Sequence, residues 1–247
     1  MPEPARSRPR RIGHKGAHAI HHGNTLASFE AAAAHGVEMI ELDVLRLRAG
    51  APDADSATRS PLVVAHDRHD ASAREPLTLV EALEAFKSPP LDRVELDLDL
   101  KLPGREDELV EAVRAAGLVE RTMVSTMYIE SVDVIRRLEP RLRRGWTYPK
   151  VTRPWDQRRW ARPFVAVALA AMRRRLPTIL RRRIAEHGLD AVWVYELLIT
   201  RRLVVAAQDL GAELIAWTVD DPARIQRLRE LGVDGICSND PRLLQGL

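Results

Sequence analysis

The sequence predicts a closed (β/α)8 TIM barrel, and three observations lead there. Eight strand-like segments alternate with helix-like ones across 247 residues, with no long low-complexity linker among them. The chain is 45% hydrophobic but only 4% aromatic and rich in Ala, Leu and Val, which suits helices packed on parallel strands better than a β-sandwich. Neither a GxGxxG fingerprint nor a P-loop lysine occurs, so the usual signature of an open doubly wound sheet, the other architecture with this rhythm, is missing.

Residues 1–10 read as a flexible basic leader and residues 11–247 as one barrel domain. The first strand, RRIGHKG (10–16), leads into a helix over TLASFEAAAAHG (25–36), where Gly36 supplies a stop. EMIELDV (38–44) is the second strand. PLVVAH (61–66) is left over from the βα count and reads as an antiparallel return beside it, joined through the polar stretch 48–60. A helix over TLVEALEAF (78–86) precedes the third barrel strand, RVELDLDL (93–100). EDELVEAVRAAG (106–117) is amphipathic and followed by the strand TMVST (122–126); YIESVDVIRRLEP (128–140) ends at Pro140 before RRGWTY (143–148). The Arg-rich stretch 156–187 reads as two helices broken near Pro177, because proline removes a helical donor. DAVWVY (190–195), LITRRLVVAAQDLG (198–211), ELIAWTV (213–219), DPARIQRLRELG (221–232) and DGICS (234–238) complete the alternation.

Composition narrows the function classes. Cys237 is the single cysteine, so the chain predicts neither an intrachain disulfide nor a thiolate zinc site. MPEPARSRPRR lacks an apolar core for a secretory signal, and the longest apolar run, FVAVALAAM (164–172), is too short to span a bilayer. A cytoplasmic protein is expected. The formal net charge is only +3, but arginine is concentrated over residues 136–183. No DNA or RNA motif accompanies those arginines, so no nucleic-acid partner is expected. Residues 153–188 have two readings: a barrel helix whose Arg stems cover the surface, or a peripheral contact with the inner membrane face. In the second, Trp160 and Phe164 would enter lipid while Arg173, Arg174 and Arg175 meet anionic headgroups. Nothing in the sequence specifies an oligomeric state.

Two strands carry charges where a buried strand should not. In EMIELDV, Met39, Glu41 and Asp43 share one face while Ile40, Leu42 and Val44 share the other. VELDLDLK repeats the oddity with Glu95, Asp97, Asp99 and Lys101. The C-terminal ends of barrel strands carry the active site, and His14, Glu41, Asp43, His66, Asp99 and Lys101 all fall at that rim. Carboxylates two residues apart can lean toward one point, where a divalent cation would offset their repulsion. Hard oxygen ligands suit Mg²⁺ or Ca²⁺, with Asp99 as the third ligand. The competing role for these carboxylates is ion pairing with neighbouring Arg or Lys, and Lys15 and Lys101 are placed either to bind phosphate oxygens or to neutralise them. Glu95 and Asp97 sit lower and are expected to make structural bonds. Histidine is the side chain whose ordinary pKa lies near neutrality, so His14 and His66 are candidates for acid and base. His18, His21 and His22 lie in a Gly-bracketed loop whose spacing fits no regular element, and no metal role is assigned to them. Asn24 or Thr25 is expected to cap the first helix.

In the order HKGA (14–17), GNT (23–25), ELDV (41–44), HD (66–67), LDLK (98–101), WTVDDP (217–222) and GVDGI (232–236), the chain resembles the glycerophosphodiester phosphodiesterases. The resemblance implies a (β/α)8 barrel that hydrolyses glycerophosphodiesters to an alcohol and glycerol 3-phosphate with a divalent cation. By position it implies His14 and His66 as the acid/base pair, Glu41, Asp43 and Asp99 as metal ligands, Lys15 and Lys101 at the phosphate, and Trp217 lining the substrate pocket. It leaves open whether a neighbouring substrate hydroxyl attacks first. A phospholipase D-like or lysophospholipid phosphodiesterase acting at a membrane surface is the alternative activity, and a non-catalytic phosphodiester binder a more distant one. Four departures stand out. Lys15 replaces the motif Arg, Gly23 replaces the motif Glu, Asp99 replaces a Glu, and the short span from His66 to Asp99 implies that the family's small insertion domain is largely missing.

Overall fold

The structure, a computed structural model, describes residues 8–47, 60–149 and 162–247, with side chains from residue 168 onward in the last stretch. Most of the basic leader, the 48–59 connection and residues 150–161 lie outside the described residues. Eight parallel strands close on themselves: β1 (Arg10–His14), β2 (Met39–Arg46), β4 (Glu95–Leu100), β5 (Thr122–Thr126), β6 (Arg143–Tyr148), β7 (Ala191–Tyr195), β8 (Glu213–Trp217) and β9 (Gly235–Ser238), with β1 pairing both β9 and β2. β3 (Leu62–Val64) runs antiparallel to the end of β2, Val64 opposite Val44, as the leftover apolar run predicts.

Helices α1 (Leu26–Ala34), α3 (Leu79–Ala85), α4 (Glu106–Ala116), α5 (Ile129–Leu138), α6 (Arg162–His187), α7 (Arg201–Gln208) and α8 (Pro222–Leu231) cover the wall, while the short α2 (Arg68–Ala73) follows β3 at the rim. α2 was not legible from periodicity. It is set by Asp67, whose side chain caps it by accepting from Asp70 N. Thr25, not Asn24, caps α1, and a reciprocal Thr78–Glu81 capping box starts α3. α7 begins at Arg201, later than its apolar pattern suggests, because Thr200 caps it and residues 196–198 form a tight 3-10 turn.

The expected break at Pro177 is corrected: α6 is one helix of 26 residues. The physical reason is burial. Leu169, Met172, Leu176, Leu180 and Ile184 recur at three- and four-residue spacing across the proline and pack on one core, the last three being fully or nearly fully buried. Such packing outweighs the roughly 3 kcal/mol that an interior proline costs.

Two apolar clusters lie between wall and helices, and a third, Ile12, Met39, Met123, Ala191, Trp193, Ile215 and Cys237, fills the barrel interior. Strand alternation makes every polar residue on the same faces point inward as well. At the N-terminal end these form a ring of alternating charge. Arg10 bonds Glu95 (2.7 Å) and Glu213 (2.9 Å), and Arg143 bonds the same two at 3.0 and 2.8 Å. Above it, Ser125 Oγ donates to Asp97 at 2.7 Å, and burial holds the Asp97 carboxyl well above its ordinary pKa. Glu95 and Asp97 therefore have the structural roles expected of them.

Candidate active site

At the opposite end, strand register brings the singled-out residues together. His14 lies opposite Glu41 across β1 and β2, and Asp43 opposite Asp99 across β2 and β4. Ligand oxygens of Glu41, Asp43 and Asp99 all lie within 4.8 Å of one another, and the three residues are buried. Lys101, just past β4, places Nζ against both Asp43 Oδ1 and Asp99 Oδ2. Lys15 Nζ is 3.9 Å from Asp43 Oδ2, and its backbone N–H donates to Glu41 Oε2 at 2.9 Å. The neutralising role open to the lysines is thus visible for Lys101. Among the described residues it is incomplete, since two ammonium groups face three carboxyl groups.

The electrostatics follow from that imbalance. Burial and the charge of Asp43 push the Glu41 carboxyl well above its ordinary range. Burial also raises Asp99, opposed in part by Lys101. At Asp43 burial is overcome by Lys101 and Lys15, which hold it well below the ordinary carboxylate value. Lys101 stays charged despite burial because Asp43, Asp99 and Glu41 surround it. Asp99 Oδ1 is a buried oxygen without a hydrogen-bond partner among the described residues. An all-oxygen donor set with an orphaned ligand atom, in which burial and mutual repulsion oppose ionisation of all three carboxyl groups at once, fits a hard divalent cation.

The chain turns sharply after β1 to build this rim. Lys15 and Asn24 adopt left-handed backbone conformations, with φ of 53° and 61°, unusual for residues bearing a Cβ. Asn24 is fully buried and fixes Asp43 twice: Nδ2 donates to Asp43 Oδ2 at 2.7 Å, and Oδ1 accepts from Asp43 N at 3.1 Å. Read from the sequence as a possible helix cap, Asn24 instead orients a carboxylate. Its signal was the GNT stretch, since asparagine tolerates positive φ better than most residues.

Gly23, which stands where the resembled motif has Glu, has its space taken by neighbours. A Cβ there would lie 2.8 Å from His18 Nδ1 and 2.8 Å from Lys15 Cβ, and Gly23 N donates to that same His18 nitrogen at 3.1 Å. Gly23→Ala is expected to destabilise the fold by about 1–3 kcal/mol through overpacking against Lys15. Thermal melting checks it, and an unchanged Tm would contradict the crowding.

His14 ends β1 with Nε2 3.9 Å from Glu41 Oε2 and Nδ1 2.7 Å from Asn239 Oδ1. Burial, then the charge of Lys15, lowers its pKa from 6.5 to about 4. His66 is more peripheral: its side chain is 51% exposed and its Nδ1 contacts Asp67 at 3.1 Å. Asp70 anchors that rim, accepting from His66 N at 3.0 Å and from Arg74, and contacting His22. Trp217 is half-buried beside Tyr195, ring centroids 6.0 Å apart, and its Nε1 is buried without a hydrogen-bond partner among the described residues. Asn239 and Asp220 were missed by sequence reasoning. The available signal was alternation through Gly235, Cys237 and Asn239, which points Asn239 inward one residue past β9.

Comparison with known proteins points one way. The sequence model of the glycerophosphoryl diester phosphodiesterase family matches residues 14–69 and 99–243. A glycerophosphodiester phosphodiesterase of Arabidopsis thaliana is 42% identical over 60 residues, and one of Caldanaerobacter subterraneus subsp. tengcongensis 26% over 146 residues. Those alignments cover 24% and 59% of this chain but only 18% and 49% of the relatives' own length. Among solved structures, a Parabacteroides distasonis glycerophosphodiester phosphodiesterase superposes with a TM-score of 0.70 at 19% identity, covering 97% of this chain and 96% of that one. An Oleispira antarctica phosphodiesterase in complex with the product sn-glycerol-3-phosphate gives 0.68 at 18% identity with the same coverage. These structural likenesses show the shared barrel.

Proposed function

Because this chain belongs to the glycerophosphoryl diester phosphodiesterase family, we propose that it hydrolyses glycerophosphodiesters to an alcohol and sn-glycerol 3-phosphate. The observation that carries the reading is the convergence of His14, three buried carboxylates and two lysines at one end of the barrel. Glu41, Asp43 and Asp99 would hold the cation, Mg²⁺ or Ca²⁺. When bound it would stabilise negative charge on the phosphoryl oxygens. His14, kept neutral by burial and Lys15, offers Nε2 as a base. His66, exposed just past β3, would return a proton to the leaving alcohol. Lys15 and Lys101 contact phosphate oxygens, and Trp217 lines the pocket with Nε1 able to donate to a substrate oxygen.

The relatives' names favour small diesters over a phospholipase D-like activity. A cytoplasmic location with peripheral membrane contact through residues 153–188 belongs to the same proposal. Part of that stretch, including the Trp160 and Phe164 side chains, lies outside the described residues. Support comes from α6, where Arg173 Nε bonds Leu197 O just beyond β7 at the site end of the barrel, and exposed Arg174 and Arg175 follow. Residues 162 to 172 extend the helix a further ~16 Å. Among the described residues no helix is long and apolar enough to cross a membrane.

The test is release of sn-glycerol 3-phosphate from glycerophosphocholine and glycerophosphoethanolamine with Mg²⁺, Ca²⁺ or chelator, beside lysophospholipid in anionic vesicles. Chelation should abolish turnover of the soluble diesters. Chelator-resistant turnover, or turnover of vesicle-borne lipid alone, would overturn the assignment.

A further inference from the structure

We propose that Asp220 is a positioning residue that acts through the Asn239 amide to fix which nitrogen of His14 carries the proton, an inference whose catalytic consequence rests on the phosphodiesterase reading. Asp220 lies in the loop between β8 and α8 and Asn239 just past β9, so both belong to the site end of the barrel. Asp220 accepts three hydrogen bonds: Oδ1 from Asn239 N and from Ser238 Oγ, both 2.8 Å, and Oδ2 from Asn239 Nδ2 at 2.6 Å. The backbone donor leaves no freedom in the first of these. An ionised carboxylate only accepts, so the Asn239 NH₂ must face Asp220 and its Oδ1 must face His14. At 2.7 Å from that oxygen, His14 Nδ1 must be the donor. The neutral imidazole then keeps its lone pair on Nε2, the nitrogen turned toward Glu41. Orientation of an amide is ordinarily ambiguous, and here the chain of donors and acceptors settles it.

Asp220 is exposed and touches none of the carboxylates at the candidate cation site, so its substitution leaves that cluster in place. Asp220→Asn would set two amide NH₂ groups against each other. Asn239 would turn over, present Nδ2 to His14 Nδ1, and drive the proton to Nε2. Asn239→Asp alone would bring two carboxylates to hydrogen-bond distance. The exchange Asp220→Asn with Asn239→Asp restores every bond: the carboxylate at 239 accepts from His14 Nδ1 and from the amide at 220, whose oxygen accepts from the backbone N–H and Ser238.

The experiment has two readouts. Nitrogen NMR of the full chain labelled at histidine, with the His14 signals assigned by their loss in His14→Ala, should show Nδ1 protonated in native protein and in the exchange, and Nε2 protonated in Asp220→Asn. On glycerophosphocholine, Asp220→Asn should lower kcat at least about 100-fold with KM within about threefold, and the exchange should recover to within about tenfold of native. A native His14 protonated at Nε2 overturns the proposal without any variant or activity. So does an Asp220→Asn protein with native kcat, or failure of the exchange to recover while it melts at the native temperature. An inactive native protein with Nδ1 protonated would sink the assigned reaction and leave the relay standing.

Discussion

Replacing His14 with Ala is expected to lower kcat for glycerophosphocholine by about 100- to 10,000-fold, the range over which a positioned acid or base contributes. His14 sits at the last position of β1 with only 20% of its side chain exposed, fixed on one nitrogen by Asn239 and facing Glu41 with the other. Among the described residues the nearby histidines are engaged elsewhere: His18 spends Nδ1 on Gly23 N, and His66 is turned to Asp67. The fold should survive, because the imidazole packs at the rim rather than in the interior cluster. Its protonation gives the pH dependence its sign. Burial and Lys15 depress the pKa from 6.5 to about 4, so the base form persists as pH falls, and the acid limb of kcat/KM should lie well below 6.5. Steady-state kinetics on native and variant protein from pH 4 to 8 measures both, and a variant retaining kcat within about tenfold would remove His14 from the proposed chemistry.

Lys101→Met should have the largest effect on stability. Its ammonium touches Asp43 and Asp99 together, both buried, and removing it leaves Lys15 as the nearest counter-charge at 3.9 Å from Asp43. Breaking one partner of a buried pair typically costs about 3–5 kcal/mol. The informative part is the rescue. If the carboxylates form a cation site, millimolar Mg²⁺ or Ca²⁺ should raise the Tm of Lys101→Met by more than it raises that of native protein, since the ion then replaces a missing charge. No shift in either protein would mean that Lys101 serves as the permanent counter-ion and that the trio does not take up metal.

The barrel was legible because its strands advertise themselves twice, through apolar alternation and through charges that have no business in a half-buried strand unless they point into a lumen. Glu41, Asp43 and Asp99 could be placed at one rim from that period alone, and the register confirms that they meet. The helix break at Pro177 was misread because a local rule was applied without the long-range term: Leu176, Leu180 and Ile184 bury a continuous stripe that the sequence around the proline does not weigh. α2 escaped because six residues held by a side-chain cap carry no periodicity. Of the two residues offered as the α1 cap, Thr25 takes that role and Asn24 turns to Asp43, a long-range partner that spacing does not show. Asn239 and Asp220 lie 19 positions apart, and each is 206 or more positions from His14, so the chain of bonds that joins them to it exists only once the barrel closes. The histidines of the first loop show the same limit. His18 fills the space over Gly23 and His22 joins Asp70, contacts set by the turn after β1 rather than by spacing.

A structure determined from crystals grown with millimolar Mg²⁺ or Ca²⁺ tests the central claim most directly. The expected result is density for an ion bounded by oxygens of Glu41, Asp43 and Asp99, with the Lys101 ammonium moved away from the space between the two aspartates. Density showing Lys101 still wedged against Asp43 and Asp99, with no ion among the three carboxylates, would contradict it.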